Sequence, residues 1–368
     1  MRRSIGFLFS GEHPRLPPAE ALAVVESESG ASDPLLWRSR VLLARSETPS
    51  IGRLSSRLAF TKKIFEAYSL ALSNDLRPLL EVIPVPPMSG VSFRVRAVSL
   101  GGGLDARVAE RVLGGRVLRA GSGLRVDLED PDVEILCLML PRLLIIGQTL
   151  SSIDRSRFRL RETSMRPFFH PTSMNPILAR AMVNLARVRE GSLVLDPFMG
   201  AGGIVLEALC VGARVIGVDA DPDMVAGALQ NLSFYGFFRG YSLMVANAVE
   251  LSLDEKVDAI VTDPPYGRGA RVLGFREPRS LLERFIERSP DLLREGGWIS
   301  ISVPDRIGVE ALMEEAGYSV RGVYFIKVHK RLRRKIVVGR LDYAGDLPGD
   351  LERRPYQASE RDLYSGLV

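Results

Sequence analysis

Residues 193–219 carry the pattern that most restricts the fold of this chain. The apolar run 193–195 is followed by three glycines within four positions, and then by the stretch 204–209, which is apolar except for Glu207. A short apolar run bounded by turn residues predicts a buried strand, and the longer run after the glycines predicts a helix. A second apolar run at 214–218 predicts another strand. Strand, turn, helix and strand in this order indicate an α/β fold.

The ends of these two predicted strands suit a nucleoside cofactor. Gly200, Gly202 and Gly203 let a ligand approach the backbone, and the helix that follows favours negative charge at its N-terminus. Asp219 ends the second strand about 20 positions after the glycines, where a carboxylate can accept hydrogen bonds from both ribose hydroxyls. A dinucleotide site would require the spacing G-x-G-x-x-G, which is absent here.

A second candidate site, residues 263–266, follows the apolar run 259–262. Pro264 and Pro265 cannot continue a sheet, because proline fixes φ and lacks an amide donor. The loop therefore lies at the carboxyl end of a strand, where open α/β sheets bind ligands. Asp263 and the Pro264 carbonyl can each accept one hydrogen of an amine, and Tyr266 can stack on a flat ring. The alternative is a rigid surface turn.

Composition is that of a globular protein with two or three domains: 46% of the 368 residues are apolar and 25% are charged. The net charge of +5 is compatible with a polyanionic partner without requiring one. Of the 49 basic residues, 43 are arginine, which suits phosphate contacts but is equally explained by genomic base composition or heat adaptation.

The cysteine and hydropathy patterns argue against disulfide-rich, metal-binding, membrane-spanning and secreted proteins. Cys137 and Cys210 are far apart, and the three histidines are scattered, so we expect neither a disulfide framework nor a metal site. The most apolar region, 135–150, is interrupted by Pro141 and Arg142 and is too short to span a bilayer. The N-terminus lacks the apolar core of a signal peptide. We expect a cytoplasmic protein with no membrane contact.

The first 88 residues predict a small α+β unit. We expect a strand at 5–9, a helix at 17–25, a strand at 37–44 and a helix at 58–68. Prolines at 84, 86 and 87 indicate a domain boundary.

Residues 89–150 form a second predicted unit. The stretch 91–98 alternates strictly, with Arg94 and Arg96 on one face that either contacts phosphates or is simply solvated. Val126-Asp127-Leu128 and Asp130-Pro131-Asp132-Val133 precede a hydrophobic strand. This unit resembles the THUMP domain, an RNA-binding module of tRNA-modifying enzymes, and the resemblance implies a ferredoxin-like unit before it.

The remaining chain divides into a linker at 151–172, a catalytic domain at 173–345 and a polar tail at 346–368. Five arginines between Arg155 and Arg166 form either a phosphate track or a solvated linker. Two predicted strands, 323–329 and 336–340, flank a basic turn. We expect this turn to bind RNA phosphates rather than only to be solvated.

The glycine loop with Asp196-Pro197-Phe198 resembles S-adenosylmethionine-dependent methyltransferases with a Rossmann-like fold, and the loop 263–266 resembles those that methylate exocyclic amines of nucleobases. Many relatives carry aspartate at the position of Asn247 to contact the adenine amine, and the amide oxygen of Asn247 can still accept. The resemblance implies cofactor contacts from Pro171, Thr172, Asp196, Phe198, Gly200, Gly202, Asp219, Ala220, Asn247, Ala248 and Asp263. It implies catalytic roles for Asp263, Pro264 and Tyr266.

Over nearly its full length the chain resembles the archaeal tRNA guanosine-10 N2-methyltransferases. The resemblance rests on the catalytic motifs and on Ser10-Gly11-Glu12-His13-Pro14, Arg166-Pro167, His170-Pro171 and Asn184-Leu185-Ala186. It implies methylation of a guanine N2 amine in tRNA, with S-adenosylmethionine as cofactor. The substrate contacts would come from Arg268, Lys330, Arg331, Arg333 and Arg334.

Several alternatives remain open at this stage. A DNA adenine or cytosine amino-methyltransferase would share the loop 263–266, although the THUMP-like unit favours RNA. A guanosine elsewhere in tRNA, such as the acceptor stem, is a closer alternative, and a tRNA-binding protein without activity is a third. We expect a monomer. The sequence leaves open whether one or two methyl groups are added and whether a small activator protein is needed.

Overall fold

A computed structural model describes residues 2–47, 50–171, 173–265, 278–329 and 332–343. The strands are β1 Arg2–Phe9, β2 Asp33–Arg38, β3 Val41–Glu47, β4 Thr61–Leu72, β5 Ser92–Ser99, β6 Arg125–Val126, β7 Val133–Leu140, β8 Leu143–Ser152, β9 Leu193–Asp196, β10 Arg214–Asp219, β11 Tyr241–Val245, β12 Val257–Thr262, β13 Leu293–Pro304, β14 Tyr318–His329 and β15 Leu332–Leu341. The helices are α1 Leu16–Ser29, α2 Ile51–Arg57, α3 Leu79–Val82, α4 Ala106–Ala120, α5 Ser156–Arg159, α6 Pro176–Leu185, α7 Gly203–Val211, α8 Pro222–Phe234, α9 Pro278–Leu292 and α10 Val309–Glu315, with a 3₁₀ turn at Thr163–Met165.

The N-terminal half is built on one eight-stranded sheet, in the order β2-β3-β1-β4-β8-β7-β5-β6. Its first part, β1-α1-β2-β3-α2-β4, is an antiparallel ferredoxin-like unit, as predicted. Strand β4 also pairs with β8, for example at Ala67 and Gly147, so hydrogen bonds run across the proposed boundary at residue 88. The division into domains therefore stays a prediction.

Two predicted elements in this half are wrong. Residues 58–68 were expected to be helical, but Thr61–Leu72 is a strand. The apolar spacing at 58–65 fits a helix, but hydrogen bonding to β1 and β8 makes this segment a strand. In this strand Phe65 packs over Gly6 and Gly147. The single strand expected at 37–44 is two strands, joined by a turn in which Ser39 has a φ of 53°.

Several arginines of residues 155–166 and of β5 form ion pairs within the protein. Arg155 pairs with Glu12, Arg161 pairs with Glu207, and Arg94 pairs with Glu134. These side chains are therefore engaged within the protein instead of forming a continuous track for phosphates, while Arg96 is exposed.

The C-terminal half contains a seven-stranded sheet in the order β11-β10-β9-β12-β13-β15-β14. Strands β9 to β13 run parallel, and β15 is antiparallel to both of its neighbours. Alternate residues of β9 face opposite cores, since Val194 packs with α6 and α7 whereas Leu193 and Leu195 pack with α9 and α10. Helices thus cover both faces, which confirms the predicted α/β class. No helix in the described ranges is long and apolar enough to cross a membrane.

A buried carboxylate joins the two halves. The Glu20 side chain on α1 is fully buried and accepts hydrogen bonds from the amides of Ala59 (2.8 Å) and Phe60 (3.0 Å) and from Asn184 Nδ2 on α6 (2.7 Å). Burial raises the pKa of Glu20, and these three donors offset part of that shift. The contact fixes α6, which directly precedes the first strand of the seven-stranded sheet, against the ferredoxin-like unit.

We expect Glu20→Ala to lower the free energy of unfolding by about 3 kcal/mol, because three buried donors would lose their acceptor. Denaturant unfolding measures this change. Glu12→Ala is the matched control, since Glu12 is 47% exposed and its ion pair with Arg155 contributes about 1 kcal/mol or less. Equal losses in the two variants would contradict the structural role of Glu20.

Candidate active site

Three carboxylates meet at the carboxyl edge of the seven-stranded sheet. Asp196 ends β9, Asp219 ends β10, and Asp263 follows β12 directly. Strands β10 and β11 lie on one side of β9, and the chain then crosses to place β12 on its other side. The carboxyl edge of β9 is therefore a topological switch point. Parallel packing therefore brings the glycine loop, Asp219 and the start of the loop after β12 to the same edge of the sheet.

The glycine loop is held beside Asp219. Gly200 and Gly202 have φ of 51° and 77°, a left-handed backbone that favours glycine. The Gly200 amide donates to Asp219 Oδ2 (2.9 Å), and a Cβ built on Gly200 would meet no atom within 4 Å. The loop is thus fixed to the acid yet open on one side, as a ligand that approaches the backbone requires.

Asp219 is partly buried and accepts at both oxygens. Its Oδ1 receives the Asp221 amide (3.0 Å), while the Gly200 amide reaches Oδ2. Burial raises the pKa of Asp219, and these backbone hydrogen bonds lower it. Each carboxylate oxygen has a further acceptor position, so the group can bind a pair of hydroxyls.

Asp196 is completely buried. Its Oδ1 accepts from the Thr262 hydroxyl (2.8 Å) and the Phe198 amide (3.3 Å), while Oδ2 has no hydrogen-bond partner among the described residues. Burial raises the pKa of Asp196 to about 8, an effect that Asp219 and Asp263 increase. An unpaired buried acidic oxygen fits a positively charged ligand, and S-adenosylmethionine carries an ammonium and a sulfonium.

Asn247, for which the sequence predicts an adenine contact, lies just beyond the end of β11. Asn247 Oδ1 accepts the Val249 amide (3.3 Å), and its Nδ2 donates to Glu250 (3.0 Å). These bonds orient the amide and leave Oδ1 a second acceptor position. Ala248, which follows Asn247, is buried in the apolar core. Two other predicted cofactor residues lie on neighbouring loops. Phe198 packs edge-on against Phe285, and Ala220 lies between Asp219 and Asp221.

Asp263 is 13% exposed and forms an ion pair with Arg334, whose Nη1 lies 2.8 Å from Asp263 Oδ2. Asp263 Oδ1 is buried and has no hydrogen-bond partner among the described residues. Burial raises the pKa of Asp263 to about 6, while Arg334 and the Ser302 hydroxyl act to lower it. The carboxylate therefore has one oxygen held and one oxygen available as an acceptor. Pro264 beside it is buried.

The basic residues of β15 do not share one surface. Arg333 is exposed and lies 3.5 Å from Asp305, Arg334 contacts Asp263, and Lys335 is buried against Glu310 (2.5 Å). Successive side chains on a strand point to opposite faces, and the neighbours of each face then decide its partner. Of the described substrate candidates, Arg333 has the expected exposed setting, whereas Arg334 does not.

Of the remaining predicted site residues, one is described and the others lie outside the described ranges. Pro171 is exposed in a turn. Outside the described residues lie Thr172, Tyr266, Arg268, Lys330 and Arg331. Sequence reasoning missed Thr262 and the contact of Arg334 with Asp263. The position of Thr262 at the strand end and the alternation along β15 could have indicated both. Within the described ranges, no cluster of three or more histidine, cysteine or acidic side chains could hold a metal ion.

Comparisons with known proteins agree with this geometry. A family model described as UPF0020, RMKL-like, methyltransferase domain, matches residues 163–336. A curated relative from Methanothermobacter thermautotrophicus, named tRNA (guanine(10)-N2)-dimethyltransferase, is 38% identical, over 90% of this chain and 97% of its own. A relative of the same name from Methanocaldococcus jannaschii is 31% identical, over 91% and 99%.

The crystal structure of TrmN from Thermus thermophilus matches 92% of this chain and 99% of its own, with a TM-score of 0.51 and 24% sequence identity. At this identity the match supports the fold alone. The two curated relatives, each covered almost completely, carry the family assignment. The chain belongs to the family of archaeal tRNA guanosine-10 N2-methyltransferases.

Proposed function

We propose that this protein methylates the N2 amine of guanosine 10 in tRNA, with S-adenosylmethionine as methyl donor. The observation that carries the proposal is the buried, unpaired Oδ1 of Asp263, at the sheet edge that also carries the glycine loop and Asp219. An acceptor in this place suits an exocyclic amine. The names of the two relatives supply the target position and favour the addition of two methyl groups.

The cofactor would be held by the ends of β9, β10 and β11. Asp219 would accept the two ribose hydroxyls, and Asn247 Oδ1 would accept the adenine amine. Asp196 Oδ2 is buried without a partner among the described residues, and a cationic group of the ligand would favour the ionised form of this acid and pair with it. Pro171, Thr172, Phe198, Ala220 and Ala248 complete the proposed set. When bound, S-adenosylmethionine supplies a methyl group on a positively charged sulfur.

Asp263 and Pro264 would orient the guanine. N2 is a poor nucleophile because its lone pair is delocalised into the ring. Hydrogen bonds from the amine to Asp263 Oδ1 and the Pro264 carbonyl would shift electron density toward nitrogen and aim it at the methyl group. Fixed orientation can account for much of a rate enhancement, so positioning is the larger part of this mechanism.

The tRNA would be bound around this edge. The target base must leave its helix, and stacking on Tyr266 would offset part of that free energy, on the order of 1–3 kcal/mol. Arg333 is exposed and suits a phosphate contact. We extend this role to Arg268, Lys330 and Arg331, and to the THUMP-like unit as a whole. We also propose that the protein acts as a monomer and that a small activator protein is a candidate partner.

The function is tested with an unmodified tRNA transcript and labelled S-adenosylmethionine, followed by nuclease digestion and nucleoside mapping. We expect label in N2-methylguanosine and N2-dimethylguanosine at position 10. Label at another guanosine would keep the chemistry and overturn the target. Absence of label, with the cofactor bound in calorimetry, would indicate a missing partner or a different nucleic acid.

Asp263→Ala is expected to lower the rate of methyl transfer by about 100-fold or more, because the amine loses its charged acceptor. Calorimetry should show cofactor binding close to that of the wild type. Asp291→Ala, at an exposed position on α9, is the matched control and should leave the rate unchanged. Loss of cofactor binding in Asp263→Ala would contradict this division of roles.

Asp219→Ala is expected to weaken cofactor binding by about 10- to 100-fold, because two hydrogen bonds of roughly 1 kcal/mol each are lost. Titration calorimetry measures the change directly. Asp223→Ala, on the exposed first turn of α8, serves as the control. Unchanged cofactor affinity in Asp219→Ala would remove Asp219 from the binding site.

A further inference from the structure

Arg334 reaches Asp263 across an intervening strand. Asp263 follows β12, Arg334 lies on β15, and β13 separates the two strands. The backbone of Arg334 pairs with Pro304 at the end of β13, so its side chain starts at the same sheet edge as Asp263. Nη1 of Arg334 is 2.8 Å from Asp263 Oδ2, and the two side chains are 16% and 13% exposed.

The contact divides the carboxylate into two unlike oxygens. Oδ2 is fixed by the guanidinium, while Oδ1 is buried without a partner among the described residues. A carboxylate that is free to rotate about χ2 would present either oxygen to a substrate. The ion pair selects one orientation, and the direction of Oδ1 becomes a fixed feature of the site.

We propose that Arg334 is a positioning residue for Asp263: it holds the carboxylate in its ionised form and in the orientation that leaves Oδ1 to accept the N2–H of guanine. The proposal rests on the proposed function. It replaces the phosphate contact that the sequence predicts for Arg334, because the guanidinium is directed at the acid and is only 16% exposed. Arg333, its neighbour on β15, keeps the exposed setting.

The charges around Asp263 determine the expected pH dependence. Burial raises the pKa of Asp263 to about 6, against the lowering effect of Arg334 and of Ser302. Asp196 also interacts with Asp263, but its pKa of about 8 keeps it protonated and neutral near pH 6, so ionised Asp263 meets no second negative charge from it there. Only ionised Asp263 accepts at both oxygens, so methyl transfer should increase with pH through about 6 in the wild type. Removal of the guanidinium should move this rise to higher pH.

The test is the pH profile of kcat for the wild type, Arg334→Met and Arg334→Lys with saturating tRNA transcript and S-adenosylmethionine. In Arg334→Met we expect the acid limb to move up by about one pH unit or more. The loss should be about fivefold at pH 6, approach about tenfold below pH 5, and recover in part at high pH. Arg334→Lys should keep the limb nearer that of the wild type. Arg340→Met, at the far end of β15, is the matched control and should leave the profile unchanged.

Two results would overturn the proposal. One is a loss of activity in Arg334→Met that is equal at every pH. The other is an increase in KM for tRNA without a shift of the limb, as a phosphate contact would give.

A double-mutant cycle tests the ion pair independently of the reaction. We compare the changes in Tm of Arg334→Met, Asp263→Asn and the double variant. The Tm of the double variant should lie about 2 °C or more above the value expected from adding the two single changes. Additive effects would show that the two residues are not coupled, and would overturn the proposal even if methylation is confirmed. Non-additive effects without methylation of tRNA would instead reject the proposed function and leave the coupling intact.

Discussion

Burial of negative charge at one sheet edge is the constraint on which the active site depends. Asp196, Asp219 and Asp263 all lie where water is largely excluded, and burial raises the pKa of each. Three mutually repelling carboxylates in a region of low dielectric are costly unless each one has partners. The identity of these partners distinguishes the three acids and gives each a separate chemical character.

Asp219 accepts hydrogen bonds from backbone amides, and Asp196 accepts from a hydroxyl and one amide. Asp263 forms an ion pair with a guanidinium. Amides near a left-handed glycine loop provide a neutral, fixed set of donors, which leaves the acid able to accept more hydrogen bonds. A guanidinium supplies a full positive charge and therefore acts on the ionisation of its partner. This difference is the basis on which we propose a cofactor role for Asp219 and a substrate role for Asp263.

Buried charge is also what joins the two halves of the protein. Glu207 on α7 is completely buried between Arg161 and the α6 residue Arg180, at 2.7 and 2.9 Å. Arg180 Nη1 also donates to the Ser56 carbonyl on α2 at 3.1 Å, which links this pair to the N-terminal half. Arg57 on α2 contacts both Glu28 and the Val188 carbonyl beyond α6. Removal of one member of such a network leaves an unpaired buried charge, so the network favours a single arrangement of the halves.

The sequence by itself determined the parallel sheet, the glycine loop and the two acidic strand ends, because these depend on local patterns: apolar runs, glycine and proline. It also predicted the ferredoxin-like unit, but the apolar spacing at 58–68 indicated a helix where pairing with two neighbouring strands gives β4. Tertiary structure alone decided which basic residues face solvent and which bind acids. Arg333, Arg334 and Lys335 are adjacent in sequence, yet strand alternation and the positions of Asp305, Asp263 and Glu310 send them to three different partners. Contacts between residues far apart in the chain cannot be inferred from the local pattern around either one.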